Sequence, residues 1–228
     1  MEGKLNYKAA YPHNREGIEV SLDLAHSPFK LLAHEEMLRD FLDDKKIYPI
    51  HLRVGLTNSC NLRCNFCNFH SSNEKDFYDG FDFSDSLQKE QAIRFFREFA
   101  ECGGKAITFC GSGECTIHPG FVDICNVCHD AGLQIGLITN GVALIRPAIL
   151  DCVSKTHTWI RVGMNAGNRK TYKHITNTCE ENFDNILKAV GKIRAQATME
   201  EFRIGMNFVV TLDNFDEILE ATQYCKSA

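Results

Sequence analysis

No stretch of this chain reaches the roughly 18 consecutive apolar residues that a membrane-spanning helix requires, so a membrane-embedded protein is not expected. Positive charge is not in excess either. Against 30 Asp and Glu stand 25 Lys and Arg, a formal net charge of -5, which argues against a surface built to grip nucleic acid or anionic lipid. The amino-terminal stretch MEGKLNYKAAYPHNREG is polar and has no apolar h-region of the kind a secretory signal carries, and a cytoplasmic protein is expected. Internal repeats and low-complexity tracts are also absent. Cysteine, by contrast, is plentiful at 11 residues. A secreted disulfide scaffold would be small and loop-rich, and this chain is neither. An odd count without a leader points to a reducing compartment, with most thiols acting as small buried hydrophobes and a few free to bind metal.

At 228 residues, 44% of them apolar, the chain is long enough for one sizeable α/β core. A helix is predicted over 28–44, where Leu31, Leu32, Met37, Leu38, Phe41 and Leu42 recur at helical spacing. From residue 50 onward strands and helices alternate. Strands are predicted over 50–57, 105–110, 133–140, 157–165 and 202–211, and helices over 87–104, 121–132, 142–155, 182–201 and 214–227. Five strands, each followed by a helix, predict a parallel sheet with crossover connections. Ending after the fifth helix rules out a closed eight-unit barrel for this chain. The expected fold is therefore α/β: an open, partial TIM-like barrel of five or six parallel β/α units over 48–228, preceded by an extension with one helix over 1–47. A fragment, or a subunit whose protein partner completes the barrel, would both end this way.

The sequence TNSCNLRCNFCNFH sets Cys60, Cys64 and Cys67 in the spacing C-x3-C-x2-C just beyond the first strand. Loops at the carboxyl ends of parallel strands are where active sites sit in such folds. Three thiolates within eight residues can converge on an iron–sulfur cluster, for which thiolates are the preferred ligands. Three protein ligands leave a fourth iron open, as a catalytic metal site needs. A zinc site using the three cysteines and His70 is the alternative, although no second ligand pair at finger spacing accompanies it. Chance clustering fits poorly with the polar Asn61, Arg63 and Asn65 between the thiols.

This stretch resembles the signature of the radical S-adenosylmethionine (SAM) superfamily, C-x3-C-x-aromatic-C, with Phe66 in the aromatic slot. The resemblance extends over about 48–226. It implies that Cys60, Cys64 and Cys67 hold a [4Fe-4S] cluster, that SAM chelates the fourth iron, and that Phe66 lies close to the adenine. In CGSGECTIHPGF (110–121), Gly111 and Gly113 permit a tight turn and close approach of a ligand to the backbone. The stretch resembles the family's glycine-glycine-glutamate-proline loop, which implies Gly113 as part of the SAM site and Glu114 as a ligand of the SAM amino group. Ser112 stands there in a glycine position and Cys115 in the proline position. Thr139-Asn140-Gly141 resembles a motif lining the SAM pocket, and an Asn-Gly turn explains it equally well. IRVGMNAG resembles the strand ending in a ribose-binding polar residue, which implies Asn165. Alternation sets Arg161, Gly163 and Asn165 on one face, where Arg161 suits a SAM carboxylate or a substrate anion or is a plain strand charge. Asn207 needs a buried partner that substrate, adenine or the protein can supply. Cys125 and Cys128 share a helix face as buried thiols or as ligands of an auxiliary cluster.

The resemblance implies reductive cleavage of SAM to a 5′-deoxyadenosyl radical that takes hydrogen from an unactivated carbon. It also implies an external one-electron donor of flavodoxin or ferredoxin type. The segment 71–85, rich in Asp, Phe and Tyr, would suit a cationic or hydroxyl-rich small-molecule substrate if it borders the pocket: a sugar, nucleoside or aminocyclitol. Peptide modification is the second substrate class, and a cluster-bearing electron carrier without catalysis is the alternative of another kind.

Overall fold

The computed structural model describes residues 34–70, 81–199 and 202–227. The chain divides into two compact units, Met1–Tyr48 and Pro49–Ala228. In the first, α1 (Glu35–Leu42) begins with Glu35 and Glu36 and carries Arg39 in its last turn, which suits the helix dipole. Arg39 reaches back one turn to Glu35 at 2.6 Å. Residues 28–33 of the helix predicted there lie outside the described residues.

The second unit holds one five-stranded parallel sheet in the order β1-β2-β3-β4-β5. Its strands are β1 (His51–Val54), β2 (Ala106–Phe109), β3 (Gln134–Thr139), β4 (His157–Gly163) and β5 (Arg203–Asn207). Its helices are α2 (Lys89–Glu101), α3 (Phe121–Asp130), α4 (Pro147–Thr156), α5 (Arg169–Thr176), α6 (Glu181–Gln196) and α7 (Ile218–Ser227). Sequence neighbours are sheet neighbours throughout, and the sheet is an open partial barrel.

One sheet face is apolar. Leu52, Val54, Ile107, Phe109, Ile135, Leu137, Ile160 and Val162 join a single core with Phe96 and Phe99 of α2, Phe121 and Ile124 of α3, Val153 of α4, and Ile186 and Val190 of α6. Phe96, Phe109 and Phe121 form an edge-to-face run with ring centroids 5.7 and 6.0 Å apart. The other face carries Arg53, Thr108, Gly136, Trp159 and Arg203 in one register row, and Ile138, Arg161 and Gly205 in the next. A register shift decides which residues of β4 face which way. Ile135 pairs with His157 but Gly136 pairs with Trp159, so Thr158 is the extra residue. His157 is thereby buried on the core side, its ring 6.1 Å from Phe121, while Trp159 and Arg161 face the open side.

Element boundaries differ from expectation for local reasons. The stretch 142–155 is two pieces, a 3₁₀ turn (Val142–Ile145) and α4, because Pro147 holds Arg146 extended and starts a new helix. The segment 214–227 likewise splits into a 3₁₀ turn (Phe215–Glu217) and α7. Helix α5 was not expected at all. Its sequence RKTYKHIT buries only Tyr172, Ile175 and Thr176, too few apolar positions to show a period, and the Asn168 side chain starts it by accepting from the amides of Lys170 and Thr171.

Candidate active site

The three spaced cysteines follow β1 at its carboxyl end. Leu56 and Thr57 are buried, and the chain then runs beside residues 82–86. The Asn58 amide donates to the Asp85 carbonyl at 2.8 Å, the Asn58 side chain to the Asp82 carbonyl at 2.9 Å, and the Ser59 hydroxyl to the Phe83 carbonyl at 2.9 Å. These contacts anchor the far end of the 71–85 segment, of which 71–80 lie outside the described residues. Leu62 is a buried apolar plug under the loop. The amides of Arg63 and Asn65 donate to the carbonyls of Thr176 and Ile175, the last residues of α5, at 3.1 and 2.9 Å. Asn177, in the left-handed conformation at the end of that helix, donates to the Arg63 carbonyl at 2.7 Å. Helix α5 thus serves as a dock for the loop, and its exposed carbonyl ends are satisfied by it.

Cys60, Cys64 and Cys67 are all free and half-buried. The Cys67 amide donates to the Cys64 carbonyl at 3.0 Å, closing a turn that brings these two positions close. The Arg63 guanidinium spans the loop backbone, donating to the carbonyls of Cys60 and Leu62 at 2.7 and 2.8 Å. Burial pushes the Cys60 thiol up and the Cys64 thiol to about 12, with the neighbouring sulfurs adding to the rise at Cys64. Without metal these sulfurs hold their protons; a bound metal would displace them.

Among the described residues, no three His, Cys, Asp or Glu groups are gathered to hold a single metal ion. That disfavours the zinc reading, in which all ligands point at one centre. His70 turns away in any case, its Nε2 lying 3.1 Å from the Ser112 carbonyl. An iron–sulfur cluster takes one thiolate on each of three irons, so its ligands need not meet at a point. Three free thiols on one half-buried, backbone-anchored loop fit that group.

The loop after β2 closes on the cysteine loop from the side. A β-carbon on Gly113 would sit 2.3 Å from the carbonyl oxygens of both Thr57 and Ser59, so only glycine fits. The next amide, that of Glu114, donates to Ser59 at 2.9 Å. Glu114 is 4% exposed, and its carboxylate is a hub. Oε1 accepts from the Thr116 amide, the Thr116 hydroxyl and the Thr139 hydroxyl at 3.1, 2.6 and 2.7 Å; Oε2 accepts from the Asn140 amide at 2.7 Å. One carboxylate therefore joins the loops after β2 and β3. Thr116, which sequence reading left without a role, and Thr139, read there only as part of the Thr-Asn-Gly motif, complete it. Cys115, standing in the proline position, is buried, and burial raises its thiol to about 12.

Asn140 reaches the cysteine loop directly. Its Nδ2 donates to Asn61 at 2.8 Å and lies 3.8 Å from the Cys60 sulfur, while its Oδ1 accepts from the Val142 amide at 3.0 Å. Gly141, with φ 81°, makes the turn that this requires. Asn165 lies beyond β4 with φ 55° and is buried. Its Oδ1 accepts from the Val209 amide at 2.8 Å and its carbonyl from Asn214 at 2.9 Å, which leaves its amide NH₂ as a donor. Phe66 is half-buried on the cysteine loop, and Arg161 is exposed on the open sheet face. The structure so brings Cys60, Gly113, Glu114 and Asn140 into one bonded network, and places Arg161 and Asn165 on and just past β4.

Asn214 and Glu217 also went unnoticed in the sequence. Glu217 accepts from the Gly167 amide at 2.7 Å, from the Asn168 side chain at 2.6 Å and from the Thr171 hydroxyl, tying the segment after β5 to the start of α5. A half-buried Glu within a polar run gives no sequence signal. Cys125 and Cys128 are fully buried in the apolar core with Cys152 beside them, and burial pushes both thiols up, Cys128 to about 12.

An open parallel β/α barrel with a three-thiol loop at the carboxyl edge of its first strand defines an iron–sulfur protein of the partial-barrel class. The description of the Radical SAM superfamily matches residues 54–225, and the chain belongs to that superfamily. It is 28% identical over 180 residues to the tungsten-containing aldehyde ferredoxin oxidoreductase cofactor-modifying protein of Pyrococcus furiosus, covering 76% of this chain and 47% of that protein. To the GTP 3′,8-cyclase of a Synechocystis species it is 29% identical over 178 residues, covering 77% of this chain and 50% of the cyclase. The solved structure of Streptococcus suis SuiB bound to S-adenosylmethionine shares the fold with a TM-score of 0.64 at 16% identity, over 86% of this chain and 42% of that one. The chain spans about half the length of these relatives.

Proposed function

We propose that this chain binds a [4Fe-4S] cluster through Cys60, Cys64 and Cys67 and, with SAM, takes hydrogen from a small polar substrate of nucleoside type. The observation that carries the reading is the bonded network joining the cysteine loop to Glu114 and Asn140. A simple electron carrier would have no use for a buried carboxylate held between two strand-end loops. When bound, the cluster and SAM together supply reductive cleavage to a 5′-deoxyadenosyl radical.

The chain's own residues do the positioning. The Glu114 Oε2 accepts a hydrogen bond from the Asn140 amide and keeps capacity for an ammonium group, while the three donors on Oε1 fix its rotamer. The Asn140 amide holds Asn61 beside Cys60 and orients that sulfur. The free NH₂ of Asn165 can donate to a ribose hydroxyl, and Phe66 offers a flat apolar surface to an adenine. The nucleoside class is supported by the nucleotide substrate in the name of the cyclase relative. Electrons come from an external one-electron donor of flavodoxin or ferredoxin type in a reducing cytoplasm, where exposed thiols such as Cys102 and Cys179 stay free.

The test is anaerobic cluster reconstitution, then dithionite reduction with SAM and detection of 5′-deoxyadenosine. The intact chain is expected to yield it, and Cys64→Ala is expected to yield none. A cluster that forms in the intact chain without deoxyadenosine would sink the catalytic reading.

A further inference from the structure

Tyr172 on α5 is 0% exposed. Its ring packs edge to face on Phe183 of α6, with centroids 6.0 Å apart. Its hydroxyl has no hydrogen-bond partner among the described residues. The Thr176 hydroxyl gives its own proton to the Tyr172 carbonyl at 2.6 Å and does not satisfy the phenol. Buried polar groups are bonded almost without exception, so an orphaned phenol in a core points to a neighbour that is not yet a good acceptor.

The position of the phenol says which neighbour that is. The amides of Arg63 and Asn65 are held by the carbonyls of Thr176 and Ile175, at 3.1 and 2.9 Å. Cys64, between them in sequence, therefore lies over the last turn of α5. Tyr172 stands three residues before Ile175 and four before Thr176, on the same side of that helix, and all three are buried. Burial pushes the phenol pKa up, and of the surrounding charges that of the Cys64 sulfur adds most to the rise. The phenol is thus a donor under all working conditions. A neutral thiol is a weak acceptor, whereas a thiolate bound to iron carries negative charge and takes a charge-assisted hydrogen bond.

We infer that Tyr172 is a positioning residue for the cluster: its hydroxyl donates a hydrogen bond to the Cys64 sulfur once that sulfur is an iron-bound thiolate. The inference rests on the cluster assignment proposed above and adds to it a residue outside the cysteine loop. Hydrogen bonds to the sulfurs are among the features that set the potential of an iron–sulfur cluster. A donor at Cys64 stabilises the more negative, reduced form, so Tyr172 raises the midpoint potential and eases the uptake of the electron.

The experiment is a potentiometric titration of the reconstituted cluster without SAM, followed by electron paramagnetic resonance. It compares the parent with Tyr172→Phe, which keeps the ring against Phe183, and with Tyr224→Phe, which loses a hydroxyl from α7 on a ring 5.4 Å from the same phenylalanine. Tyr172→Phe is expected to shift the reduction equilibrium about tenfold toward the oxidised form, a midpoint lower by about 59 mV for a one-electron couple. Tyr224→Phe should leave the midpoint unchanged. Tyr172→3-fluorotyrosine, a stronger donor of nearly the same size, should move the midpoint the opposite way, which a purely space-filling role would not do. The metal-free Tyr172→Phe chain should melt no lower than the metal-free parent, because the hydroxyl it loses had no partner there. Clusters with equal midpoints in the parent and both Tyr172 variants overturn the inference and leave the cluster assignment standing. A lower melting temperature of metal-free Tyr172→Phe also overturns it, by showing that the phenol is bonded within the protein. A parent chain that takes up no cluster removes the assignment and the inference together.

Discussion

Gly113 was expected to be glycine so that a ligand could approach the backbone. What approaches it is the protein itself, since two carbonyl oxygens of the cysteine loop occupy the space of a β-carbon. Gly113→Ala should therefore displace that loop, costing roughly 1–3 kcal/mol of stability as overpacked sites do. It should also lower cluster content after reconstitution, read as iron per chain. His157 gives a prediction of another kind. Burial lowers its pKa from 6.5 to about 3, so between those values the unfolded chain binds the proton and the folded one does not. Its folded pKa is depressed, so the associated stability is present above pH 6.5 and is lost as pH falls toward 3, at up to about 1.4 kcal/mol per pH unit. The ring Nε2 has no partner, and Thr156 keeps its bond to the Cys152 carbonyl at 2.9 Å without the imidazole. His157→Phe should thus flatten the acid limb, measured as the difference in urea midpoint between pH 7 and pH 4.5. Sequence reading had His157 in a strand but could not have known its face, because one extra residue at Thr158 reverses the alternation.

The elements legible in the sequence were those whose apolar residues repeat. Helices α2, α3 and α6 each bury three or more apolar residues at helical spacing and were read from that spacing. Helix α5 was illegible because its work is polar. It caps itself through Asn168, offers its last carbonyls to the cysteine loop and is held by Glu217. The cysteines themselves were plain from their spacing, while the helix that docks them left no pattern. Glu217→Ala should cost about 1–3 kcal/mol by leaving the Gly167 amide and Asn168 without an acceptor, and Glu217→Gln should cost less, as read by chemical denaturation. The same variants should raise the rate at which the cluster is lost to a chelator, since α5 is the dock of the loop.

At the scale of the whole molecule, the alternation of five strands and their helices gave the parallel open sheet, because each unit is long enough to show its own period. The cysteines of the described side chains sort by burial on that frame. Cys102 and Cys179 are exposed, whereas Cys115, Cys125, Cys128 and Cys152 are buried. A thiol reagent applied to the native protein should label Cys102 and Cys179 first and reach those four only in denaturant, as followed by peptide mapping. Cys60, Cys64 and Cys67 should label in the metal-free chain and become protected once the cluster is in place. Because sheet order equals chain order, each strand can pair as it leaves the ribosome. The cysteine loop is different. It is made right after the first strand, yet Asn177, which bonds to it, comes 114 residues after Arg63, and Asp213, which accepts from Asn65 at 3.1 Å, comes 148 residues after that asparagine. The three cysteines are thus among the first parts of the sheet unit to be synthesised and among the last to be set in place, since their loop is not fully held until the chain has been made through Asp213.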